Sequence, residues 1–122
     1  MAGTIVADTI QDGAGNSTSM DNAIYGSAKA WVRFNGISGV TVNASYNVSS
    51  VTRAATGNYT MNFSNAFVDT NYSVAGTAGY NDATSMGTVN PKTFNTTSLQ
   101  FVTDPANGNL SDYHYISVQI WR

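Results

Sequence analysis

A chain of 122 residues can form one domain that buries a sizeable core without disulfide or metal cross-links. The absence of cysteine excludes disulfides and thiolate metal sites, and a net charge of −2 argues against a nucleic-acid-binding surface, which must be basic. Every acidic residue is Asp, lysine and leucine are scarce, and only 10% of the residues are charged, which favours strands over helices and a surface of neutral Ser, Thr and Asn.

The first part of the chain is predicted to be an extended arm followed by a linker. Thr4–Ile10 has the composition of a short extended segment, and Gln11–Ser19 is rich in Gly, Ser and Asn, as linkers are. One helical turn is predicted over Asn22–Tyr25, with Ser19 or Asp21 as its N-cap. The first residues contain neither a basic stretch nor a long apolar core, so they are not predicted to be a secretory signal.

From Ala28 onward, apolar residues recur with a period of two, which is typical of half-buried strands. We therefore divide the chain into an arm and linker, residues 1–27, and a β-domain, residues 28–122. About seven short strands separated by turn signals, among them Asn35-Gly36 and Asn90-Pro91, predict an all-β, antiparallel, jelly-roll-like β-sandwich. The predicted core consists of the apolar residues that share the inward face of these strands: Val32, Phe34, Val42, Tyr59, Met61, Phe63, Val74, Phe101, Ile116, Val118 and Ile120.

The strands that begin and end this β-domain are predicted to carry a second, outward face. If Val32 and Phe34 point inward, then Trp31 and Arg33 must point outward, because side chains alternate along a strand. The last strand is predicted to behave likewise and to expose Tyr113, Tyr115, Gln119 and Trp121. Outward Tyr, Trp and Arg side chains are typical of an interface between proteins.

A second candidate site is a group of predicted loop residues. Exposed aromatic side chains can stack on sugar rings, although they are equally common where subunits pack. For Trp31 and Trp121 we favour packing, since both belong to strands. The predicted loops are better placed for a ligand, and the candidate ligand residues are Tyr80, Asn81, Asp82, Asn107 and Asn109.

No pattern in the sequence predicts a catalytic, cofactor or metal site. His114 is the only histidine, and Ser111 and Asp112 lie too close to it along the chain for a serine-protease-like triad to be favoured. Asp12 and Asn16 could offer oxygens to calcium, but the bidentate Glu of a helix-loop-helix calcium site is missing, and Asx turns are favoured. A polysaccharide depolymerase would need paired carboxylates in a cleft, so we predict a protein that is not an enzyme.

Four segments of the sequence resemble a module found in tail-fibre proteins and short virion proteins of tailed bacteriophages, including marine phages and cyanophages. These segments are residues 19–36 (SMDNAIYGSAKAWVRFNG), 44–52 (ASYNVSSVT), 56–63 (TGNYTMNF) and 71–79 (NYSVAGTAG). The likeness covers about Thr4–Gly79, and the last strand, Tyr115–Trp121, fits the usual end of such a module. Residues 81–109 have no counterpart in the phage module, which is what we expect of a variable loop region.

This resemblance implies a structural protein of the virion, displayed on the particle as a homo-oligomer that is expected to be a homotrimer, with no cofactor and no membrane insertion. Its expected partners are copies of itself and other virion proteins, either the major capsid protein or tail and fibre proteins, so that a head and a tail location both stay open. The chain has no room for a fibre shaft, which favours a capsid decoration (cement) protein or a fibre-tip subunit. Residues of the arm, Ile5, Val6 and Ile10, are expected to add as a strand to a neighbour. The alternative is a tail-fibre adhesin module for host attachment that binds a receptor or a host surface glycan.

Overall fold

The computed structural model describes residues 2–82 and 84–122, and it is built almost entirely of β-strands. The strands and the single helix follow one another along the chain in this order: β1 (Thr9–Gln11), β2 (Ser17–Ser19), α1 (Met20–Tyr25), β3 (Ala30–Asn35), β4 (Thr41–Tyr46), β5 (Val48–Ala55), β6 (Asn58–Phe63), β7 (Ser73–Gly79), β8 (Met86–Phe94), β9 (Ser98–Asp104) and β10 (Tyr115–Trp121). Within the described residues, no helix has both the length and the apolar character that a membrane span requires.

Strands β3 to β10 form one antiparallel sheet in the order β4-β3-β10-β7-β8-β9-β6-β5. The sheet curls until it is nearly closed into a barrel, so its two inner walls face each other across one core. The prediction of an all-β, antiparallel, sandwich-like fold is therefore confirmed. The two edge strands, β4 and β5, are consecutive and are joined by Asn47 alone, whose φ of 53° turns the chain sharply. Asparagine tolerates this left-handed conformation better than other residues with a side chain.

The core follows the alternation that the sequence predicts. Along β3, β6, β9 and β10 every second residue is buried, and Phe34, Tyr59 and Phe101 pack ring against ring at its centre. Each large apolar side chain buried in this way stabilises the fold by about 1.5–3 kcal/mol. The buried core comprises Ala30, Val32, Phe34, Tyr59, Met61, Phe63, Tyr72, Ala78, Leu99, Phe101, Thr103, Tyr113, Ile116, Val118 and Ile120.

Two sequence-based expectations about the sheet are wrong. Val42 was expected in the core but is 42% exposed: it pairs with buried Phe34, yet β4 is an edge strand whose residues are all exposed. Asn90-Pro91 was expected to form a turn but lies inside β8. The strand accommodates Pro91 at an irregularity in its pairing with β9, which is where a residue without an N–H can be placed. Val74 is partly buried and packs against the core.

The N-terminal segment forms a small unit that we call the arm, residues 2–27. Strands β1 and β2 pair as a hairpin, whose turn is held by the Asp12 carboxylate. This carboxylate accepts hydrogen bonds from the backbone N–H groups of Ala14 and Asn16, both at 2.9 Å, so the predicted Asx turn is confirmed. The predicted helical turn is also confirmed: Ser19 is the N-cap of α1 and accepts from the N–H of Asn22. The division of the chain at residues 27 and 28 stays a prediction.

The connections of the sheet gather at two opposite ends of the strands. At the first, the basal pole, the arm enters the sheet: the N–H of Lys29 donates to the carbonyl of Ile120 at 2.7 Å, and the Asn47 amide donates to the carbonyl of Lys29. At the other end, the loop pole, the chain segments 36–40, 56–57, 80–85 and 105–114 meet. There the N–H of Gly36 donates to the carbonyl of Tyr113 at 2.9 Å.

Candidate functional site

The outward side of β3, β4 and β10 carries an aromatic surface, which we call the outer face: Trp31, Arg33, Tyr46, Tyr115, Gln119 and Trp121. Trp31 pairs across the strands with Tyr46 on one side and with Gln119 on the other, so two aromatic side chains and an amide follow one another in one row, with Trp31 in the middle. Trp31 is 36% exposed, Tyr46 58% and Tyr115 44%. These side chains form one exposed apolar and polar surface on a rigid sheet, which is a suitable base for an interface.

Arg33 is held against this outer face by an aromatic ring. Its guanidinium carbon lies 5.2 Å from the centroid of the Tyr115 ring, within the range of a cation–π contact. The contact fixes a charge on the sheet next to Trp31, and it supports the prediction that Trp31 and Arg33 point outward. Sequence reasoning did not assign Tyr46 to this surface, because the β-bulge between Arg33 and Phe34 changes the register of β4 and has no signal in the sequence.

Tyr113 does not belong to the outer face, and the expectation that it points outward is wrong. Its side chain is 1% exposed and packs in the core, because β10 begins only at Tyr115 and the alternation does not extend back to it. The ring lies against the backbone of Gly87, where a β-carbon would overlap it. Its hydroxyl is buried and has no hydrogen-bond partner among the described residues, and burial is the main cause that raises its pKa.

The candidate ligand residues do come together at the loop pole, but their side chains are occupied by contacts within the protein. Tyr80 is half-buried and packs on Tyr113 at 4.7 Å between ring centroids. The Asp82 carboxylate accepts from the N–H groups of Thr84 and Ser85, and these hydrogen bonds, that of Ser85 first, lower its pKa. The side chains of Asn81, Asn107 and Asn109 are exposed, but the Asn107 side chain accepts from the N–H of Asn109. These contacts build turns, and they give no converging set of groups that reaches into solvent.

A carboxylate that sequence reasoning did not single out connects the loops of this pole. Asp112 accepts hydrogen bonds from the Arg53 guanidinium, from the N–H of Gly57 at 2.9 Å and from the hydroxyl of Tyr59, which is fully buried. Burial opposes ionisation of Asp112, but the hydrogen bonds from Arg53, Tyr59 and Gly57 outweigh it and lower the pKa of its carboxyl. Burial, and then the bond to this carboxylate, raises the pKa of Tyr59. Asp112 lies more than 50 residues along the chain from both Arg53 and Tyr59, so no local sequence pattern predicts these hydrogen bonds.

Asp112 is therefore not available to His114, whose ring instead meets Tyr80 edge-on at 5.7 Å. Among residues 2–82 and 84–122, no group of three or more His, Asp or other ligand side chains is placed to hold a metal ion.

The arm presents the predicted assembly residues to solvent. Ile5 is 86% exposed, Val6 94% and Ile10 46%, and none of residues 2–27 is buried. The segment around Ile5 and Val6 and the helix residues Met20 and Ile24 line one groove of about 440 Å³, which we call the arm groove. The carboxylates of Asp8 and Asp21 also lie in its lining.

A second groove, of about 370 Å³, lies at the basal pole, and we call it the basal groove. It is lined by Lys29, Tyr46, Asn47, Asn65, Ala66, Phe67, Val68 and Arg122. Val68 stands 85% exposed on it, and Phe67 is partly buried against the core. Arg122 forms an ion pair with Asp69 at 2.6 Å, and this pairing is the main cause that lowers the pKa of Asp69 to about 2.

No protein-family model, curated protein or solved structure matches this chain. The resemblance to a phage virion module, and the oligomeric state and location that it implies, therefore stay predictions that rest on the sequence segments given above.

Proposed function

We propose that this chain is a non-enzymatic structural protein of a bacteriophage virion, displayed on the particle surface as a homo-oligomer. The proposal commits to a trimer, in which the outer face and the arm form the contacts between subunits or with other virion proteins. A capsid decoration protein and a fibre-tip subunit are both included, and they differ in the virion protein to which the basal pole would attach.

One observation carries the proposal: an exposed apolar arm leaves the sheet at the basal pole, opposite to the polar loops of the loop pole. Ile5, Val6 and Tyr25 are at least 69% exposed in a segment of which no residue is buried. A soluble domain gains nothing from apolar side chains that it leaves in water, whereas an assembling one buries them in a contact. The low charge of the surface adds to this, because it guards weakly against association.

Immunogold labelling of intact phage particles, with antibody raised against the β-domain, tests the location. Gold over the head is expected for a decoration protein, and gold confined to the tail is expected for a tip subunit. Particles that carry no gold, while capsid or tail antibodies label them, would refute the virion proposal.

The second candidate is an adhesin module that binds a host surface glycan, and the row Tyr46–Trp31–Gln119 favours it. Two neighbouring aromatic side chains with an amide beside them on a rigid sheet offer both stacking and hydrogen bonding to a sugar. A glycan array with the intact chain tests it, with Trp31→Ala as the variant that should lose binding and Met86→Ala, at the loop pole, as the matched control. No binding by the intact chain at high concentration would remove this candidate.

A further inference from the structure

The arm groove and the basal groove have complementary surfaces. The arm groove is apolar and contains two carboxylates, Asp8 and Asp21, whereas the basal groove exposes Val68 and carries two cations, Lys29 and Arg122. Residues 1–28 contain three Asp and no Lys or Arg, so the whole arm is acidic. Oppositely charged rims around apolar centres are the usual composition of two surfaces that recognise each other.

Three of the charges at the two grooves are free to pair, whereas Arg122 is already paired with Asp69. Among residues 2–82 and 84–122 the ion pairs are Arg53–Asp112 and Arg122–Asp69, so Lys29, Asp8 and Asp21 have no partner of opposite charge there. The ammonium of Lys29 donates to the hydroxyl of Ser27, at 2.9 Å. A carboxylate from outside can reach it without breaking an existing ion pair.

The two grooves share no lining residue, and hydrogen bonds hold the segment that joins the arm to the sheet. The N–H of Gly26 and the hydroxyl of Ser27 donate to the carbonyls of Asn22 and Ala23, at 2.8 and 2.6 Å, and so fix the end of α1. Two residues later, the backbone of Lys29 is already bonded to β10. Folding the arm back onto its own basal groove would disrupt this joint, whereas the groove of a neighbouring copy can be reached with the joint intact.

We infer that the arm of one copy docks on the basal groove of a second copy, with Val68 of the second copy inserted between Ile5, Val6 and Ile24 of the first. This inference rests on the proposed self-assembly and names its contact. Asp8 and Asp21 then face the unpaired Lys29 of the neighbour, beside its Arg122–Asp69 ion pair. The contact joins two different surfaces, so it repeats from copy to copy, and the proposed trimer is the ring that forms when the rotation between copies is about 120°.

The first test is the mass of the chain in solution, measured by light scattering after size-exclusion chromatography. The intact chain is expected to elute as a whole multiple of its 12.9 kDa. Val68→Asp places a carboxylate in the apolar contact, opposite Asp8 and Asp21 of the docked arm, and should reduce the mass to that of one chain. Met86→Asp is the matched control, since Met86 is 79% exposed at the opposite pole, and it should keep the mass of the intact chain.

The second test separates docking between copies from docking within one copy. A chain lacking residues 1–27 retains the sheet, because the arm contributes no buried residue to it. This armless chain offers only a basal groove and the Val68→Asp chain only an arm, so each alone should be a single chain and their mixture should form a 1:1 complex. The inference is overturned if the intact chain is a monomer, if Val68→Asp or the armless chain keeps the oligomer, or if the mixture stays separate. None of these results depends on gold labelling of particles, so the virion proposal and this contact can fail independently.

Discussion

The hydrogen bonds that connect the loop pole converge on the carboxylate of Asp112, and replacing this residue measures how much they stabilise the fold. Asp112→Ala removes the acceptor of the Gly57 N–H and of the Tyr59 hydroxyl, and both residues are buried. An unsatisfied buried donor costs about 1–3 kcal/mol, so the two together should lower the free energy of unfolding by roughly 2–6 kcal/mol. For a domain of this length, at about 4 °C per kcal/mol, that corresponds to a fall in Tm of roughly 8–24 °C.

The chain supplies a matched control for this substitution. Asp69→Ala removes the same side chain from an ion pair of the same length, 2.6 Å to an arginine, but one that lies exposed at the basal pole. Exposed pairs contribute little because water and salt screen them, so the Tm of Asp69→Ala should stay near that of the unchanged protein. Asp112→Asn should give an intermediate loss, since its amide oxygen still accepts a hydrogen bond but its NH₂ group opposes the Arg53 guanidinium.

Thermal unfolding by circular dichroism, with urea unfolding as a second measure, decides between these outcomes. The reasoning requires a large loss for Asp112→Ala and a small one for Asp69→Ala in the same buffer. Equal losses would mean that the Tyr59 hydroxyl and the Gly57 N–H find other partners, and the role assigned to Asp112 would be refuted. A loss of stability in Asp69→Ala but not in Asp112→Ala would also refute the role assigned to Asp112.

Two further predictions concern packing and pH. Gly87→Ala should destabilise the fold by about 1–3 kcal/mol, because its β-carbon would overlap the Tyr113 ring, which is too buried to move aside. Gly79→Ala, on the neighbouring strand, meets only one atom at 3.7 Å and should unfold like the unchanged protein; equal Tm values for the two variants would contradict this packing. The lowered pKa of Asp112 means that its stabilisation is fully present above the ordinary Asp pKa of about 3.9 and is lost as the pH falls through the lowered value. The difference in unfolding free energy between the unchanged protein and Asp112→Asn should therefore be constant from pH 7 to 5 and shrink below pH 4; a difference that grows on acidification would reverse the sign assigned here.

The burial of the strand residues could be predicted where the alternation of inward and outward side chains holds along a whole strand. Along β3 and β10, alternation alone places Val32 and Ile116 inside and Trp31 outside, because a half-buried strand has only two faces. The cap of α1 could be predicted for a similar reason, since a Ser side chain bonds to a backbone group three residues away.

The features that could not be predicted depend on residues far apart or on breaks in that rule. The bulge after Arg33 moves Tyr46 onto the outer face, and nothing in the residue composition of β3 or β4 predicts this bulge. Tyr113 lies in the loop before β10, so counting back from that strand assigns it to the wrong face. Asp112 meets Arg53 only because the curled sheet brings the loop before β10 next to strand β5, which is a property of the whole fold.

The structure of the arm favours assembly as the explanation of the exposed apolar side chains at the basal pole. Fixing the backbone of a residue costs about 1–2 kcal/mol, and in a domain this cost is offset chiefly by burial of apolar surface. The arm orders a hairpin and a helix through local hydrogen bonds, such as that from the N–H of Met20 to the carbonyl of Asp8, yet it buries no side chain. Its helix has six residues, fewer than a helix needs to persist by itself in water. We propose that the missing burial comes from the basal groove of a second copy, which offers an apolar centre and the cation of Lys29. In the proposed oligomer, the ordering of the arm and the joining of subunits are therefore one event.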